Sequence, residues 1–218
     1  MKQERKKNLY AGVGMLAGFM LWTAAVCSVD VQAIGPQGSA VGFAGINGFF
    51  HNLTGVHMFL YTLTDWLSLI PLAVVAGFGL LGLAQWIRRK QLWKVDRSIL
   101  VLGGFYLAVM GAYLFFEVFA VNYRPVLIEG VLEASYPSST TMLVLYVMPS
   151  AMMELRGRMK NSVLKKWVIS LMIAFTVLMV FGRLISGVHW LTDIVGGALL
   201  SGGLVMLYRF FSNFKAGK

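Results

Sequence analysis

The chain has 218 residues, of which 58% are hydrophobic and only 13% charged, and its formal net charge is +10. A soluble domain carries roughly a quarter charged residues, so the composition excludes an ordinary soluble globular protein. Cys27 is the single cysteine, which excludes an internal disulfide and a thiolate metal cluster.

The apolar residues come in blocks of about 18 or more, the length that crosses a bilayer as a helix. The reading is all-α: a polytopic membrane bundle of about six transmembrane helices, one domain over residues 1–218. In chain order the first span covers 8–28. Lys2, Arg5, Lys6 and Lys7 precede it in the manner of a signal peptide. The apolar run is too long for a signal h-region and lacks a small-x-small cleavage site, so an uncleaved first helix is expected. The Gly-rich segment 30–53 is too short and interrupted to cross, and is expected to form a short interfacial helix or a loop against the bundle. The remaining spans are read at 56–87, 97–120, 138–155, 163–183 and 190–211.

Charge assigns an orientation. Of 19 Lys and Arg, 17 fall before span one, between spans two and three, between spans four and five, after span six, or at the span ends adjoining these segments. The opposite side holds only Arg124 and Arg183. By the positive-inside bias both termini are cytoplasmic, with Trp86, Trp93 and Trp167 at the inner interface and Trp22 and Trp190 at the outer. Basic runs placed this way serve orientation, so no nucleic-acid partner is expected. Arg124 and Arg183 serve no such role, and His51, His57 and His189 lie on their side.

Three pieces on that side carry chemistry. Arg183, His189 and Asp193 lie in GRLISGVHWLTDIVGG. His189 and Asp193 are four residues apart and share a helix face. The carboxylate can accept the Nδ1–H and leave Nε2 free as a nucleophile, while Arg183 offers a planar fork for phosphate oxygens. The second piece, Tyr136-Pro137-Ser138-Ser139-Thr140-Thr141, opens an apolar helix whose N-terminal amides favour an anion. The third is Asn122-Tyr123-Arg124-Pro125, at the outer end of span three. Two guanidinium groups and one helix N-terminus can surround a phosphate.

In order and placement these pieces resemble the motifs of the type 2 phosphatidic acid phosphatase (PAP2) superfamily: Lys-x6-Arg-Pro, then Pro-Ser-Gly-His, then Ser-Arg-x5-His-x3-Asp. The resemblance implies a lipid phosphatase, acting on a lipid phosphate or polyprenyl diphosphate (undecaprenyl diphosphate among them) at the outer face of a bacterial plasma membrane. It implies His189 as the nucleophile that forms a phosphohistidine, Asp193 as its orienting carboxylate, and Arg124, Ser138, Ser139 and Arg183 as phosphate ligands. No cofactor or metal is implied, and the partners are the lipid substrate and membrane lipids. A phosphotransferase using a lipid diphosphate, or a catalytically weakened lipid-phosphate binder, are the alternatives.

The chain departs from the pattern at four positions. Glu117 stands where the family has Lys, Thr140 where it has the general-acid His, Ser139 where it has Gly, and Gly182 where it has Ser. Glu117, two turns before Arg124, is expected either to pair with it or to supply the missing proton; His51 and His57 are the other candidates for that proton.

Overall fold

The computed structural model describes residues 2–212, and over these it is an all-helical bundle. Helix α1 (Lys2–Ser28) is followed by a loop with one short 3-10 turn and by α2 (Ala44–Thr54). Next come α3 (Met58–Leu67), α4 (Leu69–Arg89), α5 (Arg97–Val118), α6 (Ser139–Arg158), α7 (Ser162–Ile185) and α8 (Leu191–Ser212). The segment 30–53 thus holds a helix of 11 residues, too short to cross a bilayer. Its Ala44 and Asn47 are buried, while Ile46, Phe49 and Leu53 point outward.

Five stretches are long and apolar enough to cross a membrane: Gln3–Ser28, Met58–Arg89, Arg97–Val118, Ser162–Ile185 and Leu191–Ser212. The chain is therefore a multi-pass membrane protein. The second stretch contains both α3 and α4, which divide at Ser68. Pro71 accounts for the break, because it has no N–H to give the carbonyl of Leu67 one turn earlier. Helix α6 is not among the five, although 138–155 reads as a span, and its surroundings explain why. It packs against α4, α5, α7 and α8, and ten of its 20 residues are buried. A helix enclosed by protein has little contact with lipid and can carry Ser, Thr and even Glu154. The outer helices do the reverse and present large apolar side chains such as Leu80, Leu107 and Leu171 at their surfaces.

The core sits between α1, α5, α6 and α8. Phe19 and Val26 meet Leu102, Val109, Tyr146, Leu200 and Tyr208 there. At one end of α6 the buried Glu154 accepts hydrogen bonds from Tyr208 Oη at 2.7 Å and Arg158 Nε at 2.9 Å. Arg158 continues to Asp96, which also pairs with Arg89. This end holds the basic runs of the sequence; Lys215 and Lys218, counted with them, lie outside the described residues.

The opposite end is built by the α5–α6 and α7–α8 connections. Tyr136 is the packing link between the core and this end: its ring stacks on Phe19 and its hydroxyl meets Thr23 Oγ1 at 2.7 Å. Gly196 of α8 lies directly beneath that ring, where an added Cβ would stand 2.6 Å from Cε2. A buried ring so close has no free space to retreat into. Gly196→Ala is therefore expected to destabilise the purified protein by about 1–3 kcal/mol through overpacking. Gly14→Ala, at a position with nothing within 4 Å, is expected to leave stability unchanged or slightly raised. Unfolding midpoints of the two variants in detergent check this.

Candidate active site

The α5–α6 connection folds back on itself as a narrow hairpin-like loop. Tyr123 faces Ala134 and Ile128 faces Val131 in antiparallel bridges. The turn residues Glu129 and Gly130 both have positive φ, at 50° and 80°, the geometry of a type I′ turn. The fold-back gives Arg124 N to Glu133 O at 3.0 Å and Ser135 N to Asn122 O at 2.9 Å. Arg124, Glu133 and Ser135 thereby become neighbours. Glu-Gly between Ile128 and Val131 is the sequence signal for this turn, weaker than Asn-Gly or Asp-Gly because Glu tolerates positive φ less well.

The α7–α8 connection brings the imidazole to them. Gly187 has φ 67°, and a Cβ there would lie 1.9 Å from the carbonyl oxygen of Gly55, so only glycine lets the chain turn so close to the α2–α3 link. His189 and Trp190 follow. Trp190 Nε1 donates to Tyr123 O at 2.7 Å and fastens the connection to the hairpin.

His189 is buried, and each ring nitrogen has a partner. Nε2 lies 3.2 Å from Arg124 Nη1, and Nδ1 lies 3.0 Å from Ser135 Oγ. Asp193 Oδ2 is 3.6 Å from Nδ1. That is beyond a normal hydrogen bond, so the direct bond expected from the four-residue spacing is replaced by Ser135, whose hydroxyl donates to Asp193 Oδ2. The carboxylate also accepts from Trp190 N at 2.9 Å and from Asn122 Nδ2 at 3.4 Å. Burial above all, and then the charge of Arg124, push the imidazole pKa down from 6.5 to about 4, which leaves it neutral at pH 7.

A pocket of about 190 Å³ opens beside the imidazole, lined by Tyr113, Phe116, Glu117, Arg124, Glu133, Ser135, Ser139 and His189 among others. Arg124, Ser139, Glu117 and His189 thus share one cavity. Arg124 pairs there with Glu133, Nε to Oε2 at 2.9 Å; the pairing with Glu117 expected from sequence is not made. Of the three side chains considered as proton sources, Glu117 alone lines the pocket. His57 is exposed and bonded to Thr54 O, and His51 lies on α2 against the Trp190 ring.

Arg183 and Thr140 meet each other and stand outside the pocket lining. Arg183 Nη2 donates to Thr140 Oγ1 at 2.7 Å and to Asp65 Oδ1 at 2.8 Å, and Nη1 to Tyr61 O at 3.3 Å. Its Cζ lies 4.9 Å from the Tyr61 ring centroid, and that of Arg124 lies 5.7 Å from the same centroid. Both guanidinium groups therefore flank one aromatic ring. Ser138 is fully buried, with its amide given to Asp193 O at 3.1 Å, so that amide is occupied. Its hydroxyl, like Arg183 Nε, is buried with no partner. Buried unpaired donors are unusual in a folded protein and mark places where a further acceptor fits. Sequence reasoning missed Ser135, Glu133 and Tyr61; none stands in a recognisable motif.

Residues 118–215 match the model of the PAP2 superfamily. No curated protein matches the chain. Among solved structures, the chain is similar to a transmembrane PAP2 type phosphatidylglycerolphosphate phosphatase from Bacillus subtilis, with 20% identity and a TM-score of 0.63 over 96% of this chain and 100% of the other. At that identity the likeness establishes the fold. The segment matched by the PAP2 superfamily model, in this multi-pass membrane protein, holds His189, Asp193, Arg124, Arg183, Ser135, Ser138 and Ser139.

Proposed function

We propose that the chain is a membrane lipid phosphatase that hydrolyses a lipid phosphate or a polyprenyl diphosphate through a phosphohistidine on His189. One observation carries this reading: a neutral imidazole directs Nε2 to an arginine at the edge of a pocket. Arginine has only donors, so Nε2 is the bare nitrogen and holds the lone pair a nucleophile needs. A phosphoryl group entering the pocket draws Arg124 onto its oxygens and leaves Nε2 facing phosphorus. Nε2 then forms the N–P bond as the P–O bond to the lipid breaks. Water attacks the phosphohistidine in turn, releasing inorganic phosphate and restoring the imidazole.

The leaving oxygen needs a proton when the substrate is a monoester. Glu117, in the pocket lining, is the side chain we assign to it, and the same carboxylate then takes a proton from the attacking water. Thr140 holds Arg183 instead. A polyprenyl diphosphate depends less on Glu117, because Nε2 attacks its terminal phosphorus and the polyprenyl monophosphate departs readily without a proton.

The charge pattern supports the topology. Arg88, Arg89, Arg97, Arg156, Lys165 and Arg209 lie at the ends of helices remote from the pocket. The positive-inside bias then places the pocket at the outer face, both termini in the cytoplasm and α6 as the sixth span. A phosphate-binding protein without turnover is the second reading, favoured by Thr140, which stands where the pattern has its general-acid His and is taken up by Arg183.

Three outcomes check this function. Protein purified in detergent is expected to release phosphate from at least one of phosphatidic acid, phosphatidylglycerol phosphate and undecaprenyl diphosphate, and His189→Ala to abolish release. Binding without release from all three supports the second reading. Glu117→Gln is expected to lower kcat on phosphatidic acid by about 10²-fold or more and to affect the diphosphate less, as measured by initial rates on both. The third outcome concerns pH. His189 has a folded value of about 4 against 6.5 for an unperturbed imidazole, so the unfolded chain binds more protons between those values. Its contribution to stability is complete above about pH 6.5 and is lost as the pH falls toward 4. Unfolding midpoints of the wild type are expected to drop across that window more than those of His189→Gln.

A further inference from the structure

We infer that Ser135 is the positioning residue of the nucleophile: its hydroxyl is the link through which Asp193 orients His189. The inference rests on the phosphatase reading only for its kinetic consequences.

The donors and acceptors present fix the direction of each hydrogen bond. Arg124 can only donate, so Nε2 of His189 accepts at 3.2 Å. A neutral imidazole with a bare Nε2 carries its proton on Nδ1. Nδ1 therefore donates to Ser135 Oγ at 3.0 Å. The Ser135 hydroxyl has a single proton, and its other partner is the Asp193 carboxylate, which accepts it. Every proton in the chain His189–Ser135–Asp193 is thereby placed, with one direction throughout.

Asp193 cannot do this alone where it stands. Its Oδ2 is 3.6 Å from Nδ1, and it is held back by the amide of Trp190 at 2.9 Å, by Asn122 on its other oxygen and by complete burial. Ser135 is itself 3% exposed, and its amide is anchored to Asn122 O at 2.9 Å. The hydroxyl is thus fixed by the hairpin, not by α8. Removing it leaves two choices. The imidazole can remain with an unpaired Nδ1–H, or it can swing toward Asp193 and carry Nε2 away from the phosphoryl position. Both impair attack, since displacement of a reacting atom by about 1 Å can cost about 10²-fold in rate.

The experiment has an arm that does not need turnover. In protein labelled with 15N-histidine, in detergent at pH 7, the wild type is expected to show His189, identified by loss of its signals in His189→Gln, with Nδ1 protonated and Nε2 bare. In Ser135→Ala the Nδ1 proton is expected to shift and to exchange with water at least about tenfold faster. A protonated Nε2 in the wild type, or an Nδ1–H signal untouched by Ser135→Ala, overturns the inference whether or not the protein is an enzyme.

The kinetic arm uses phosphatidic acid in mixed micelles. Ser135→Ala is expected to lower kcat by about 10²-fold with KM changed less than about threefold, and Ser135→Thr, which keeps the hydroxyl, to recover most of the loss. Residues acting as one unit are non-additive, so Ser135→Ala combined with Asp193→Asn is expected to be no more than about threefold slower than the slower single variant. A loss confined to KM, or single effects that multiply in the double variant, contradicts the link. A wild type without turnover on any lipid phosphate contradicts the proposed function instead, and the labelling arm still decides the role of Ser135.

Discussion

A carboxylate buried without a cation at hydrogen-bonding distance forces this end of the molecule together. Asp193 is fully buried and accepts from Ser135 Oγ, Trp190 N and Asn122 Nδ2, while its backbone carbonyl accepts from Ser138 N. Burying a charge is costly unless hydrogen bonds replace its water. The donors to the carboxylate come from both arms of the α5–α6 hairpin and from the α7–α8 connection. Satisfying one anion therefore fixes three chain segments relative to one another. The imidazole of His189 is set in place as a consequence, held between the hairpin's Ser135 and Arg124.

The two guanidinium groups reach the site by different means. Arg183 comes from inside a helix, is 2% exposed, and is tied to Asp65 and Thr140 before any ligand arrives. Arg124 comes from the hairpin, is paired with Glu133, and rests against Nε2. Tyr61 lies within reach of both. In the proposed reaction the difference matters: Arg124 has two modest partners to exchange for phosphate oxygens, whereas Arg183 is fixed and acts as a standing positive charge behind the site. Glu117 and Glu133 offset part of that charge at the pocket.

Much of this was legible in the residues because the bilayer makes sequence explicit. Long apolar blocks, two stray arginines and the Arg183–His189–Asp193 spacing name the helices and three of the groups that converge. Helix α6 is less apolar because its neighbours are protein, and its core position shows only once the packing is known. The Ser135 link was hidden for another reason. Spacing on a helix places His189 and Asp193 on one face, but it cannot report that a hydroxyl from a distant hairpin enters between them. The same holds for Arg124: its sequence neighbour on the helix face is Glu117, yet the type I′ turn at Glu129-Gly130 delivers Glu133 instead.

The central claim is that phosphate passes through His189 Nε2, and the most direct measurement is a rapid-quench trap with lipid carrying 32P in its phosphate. The account predicts a transient labelled protein, stable to alkali and labile to acid as a phosphohistidine is, with the label on residue 189 and absent from His189→Ala. Label that survives acid on Ser135 or another hydroxyl, or phosphate released with no labelled protein at any time, would contradict it.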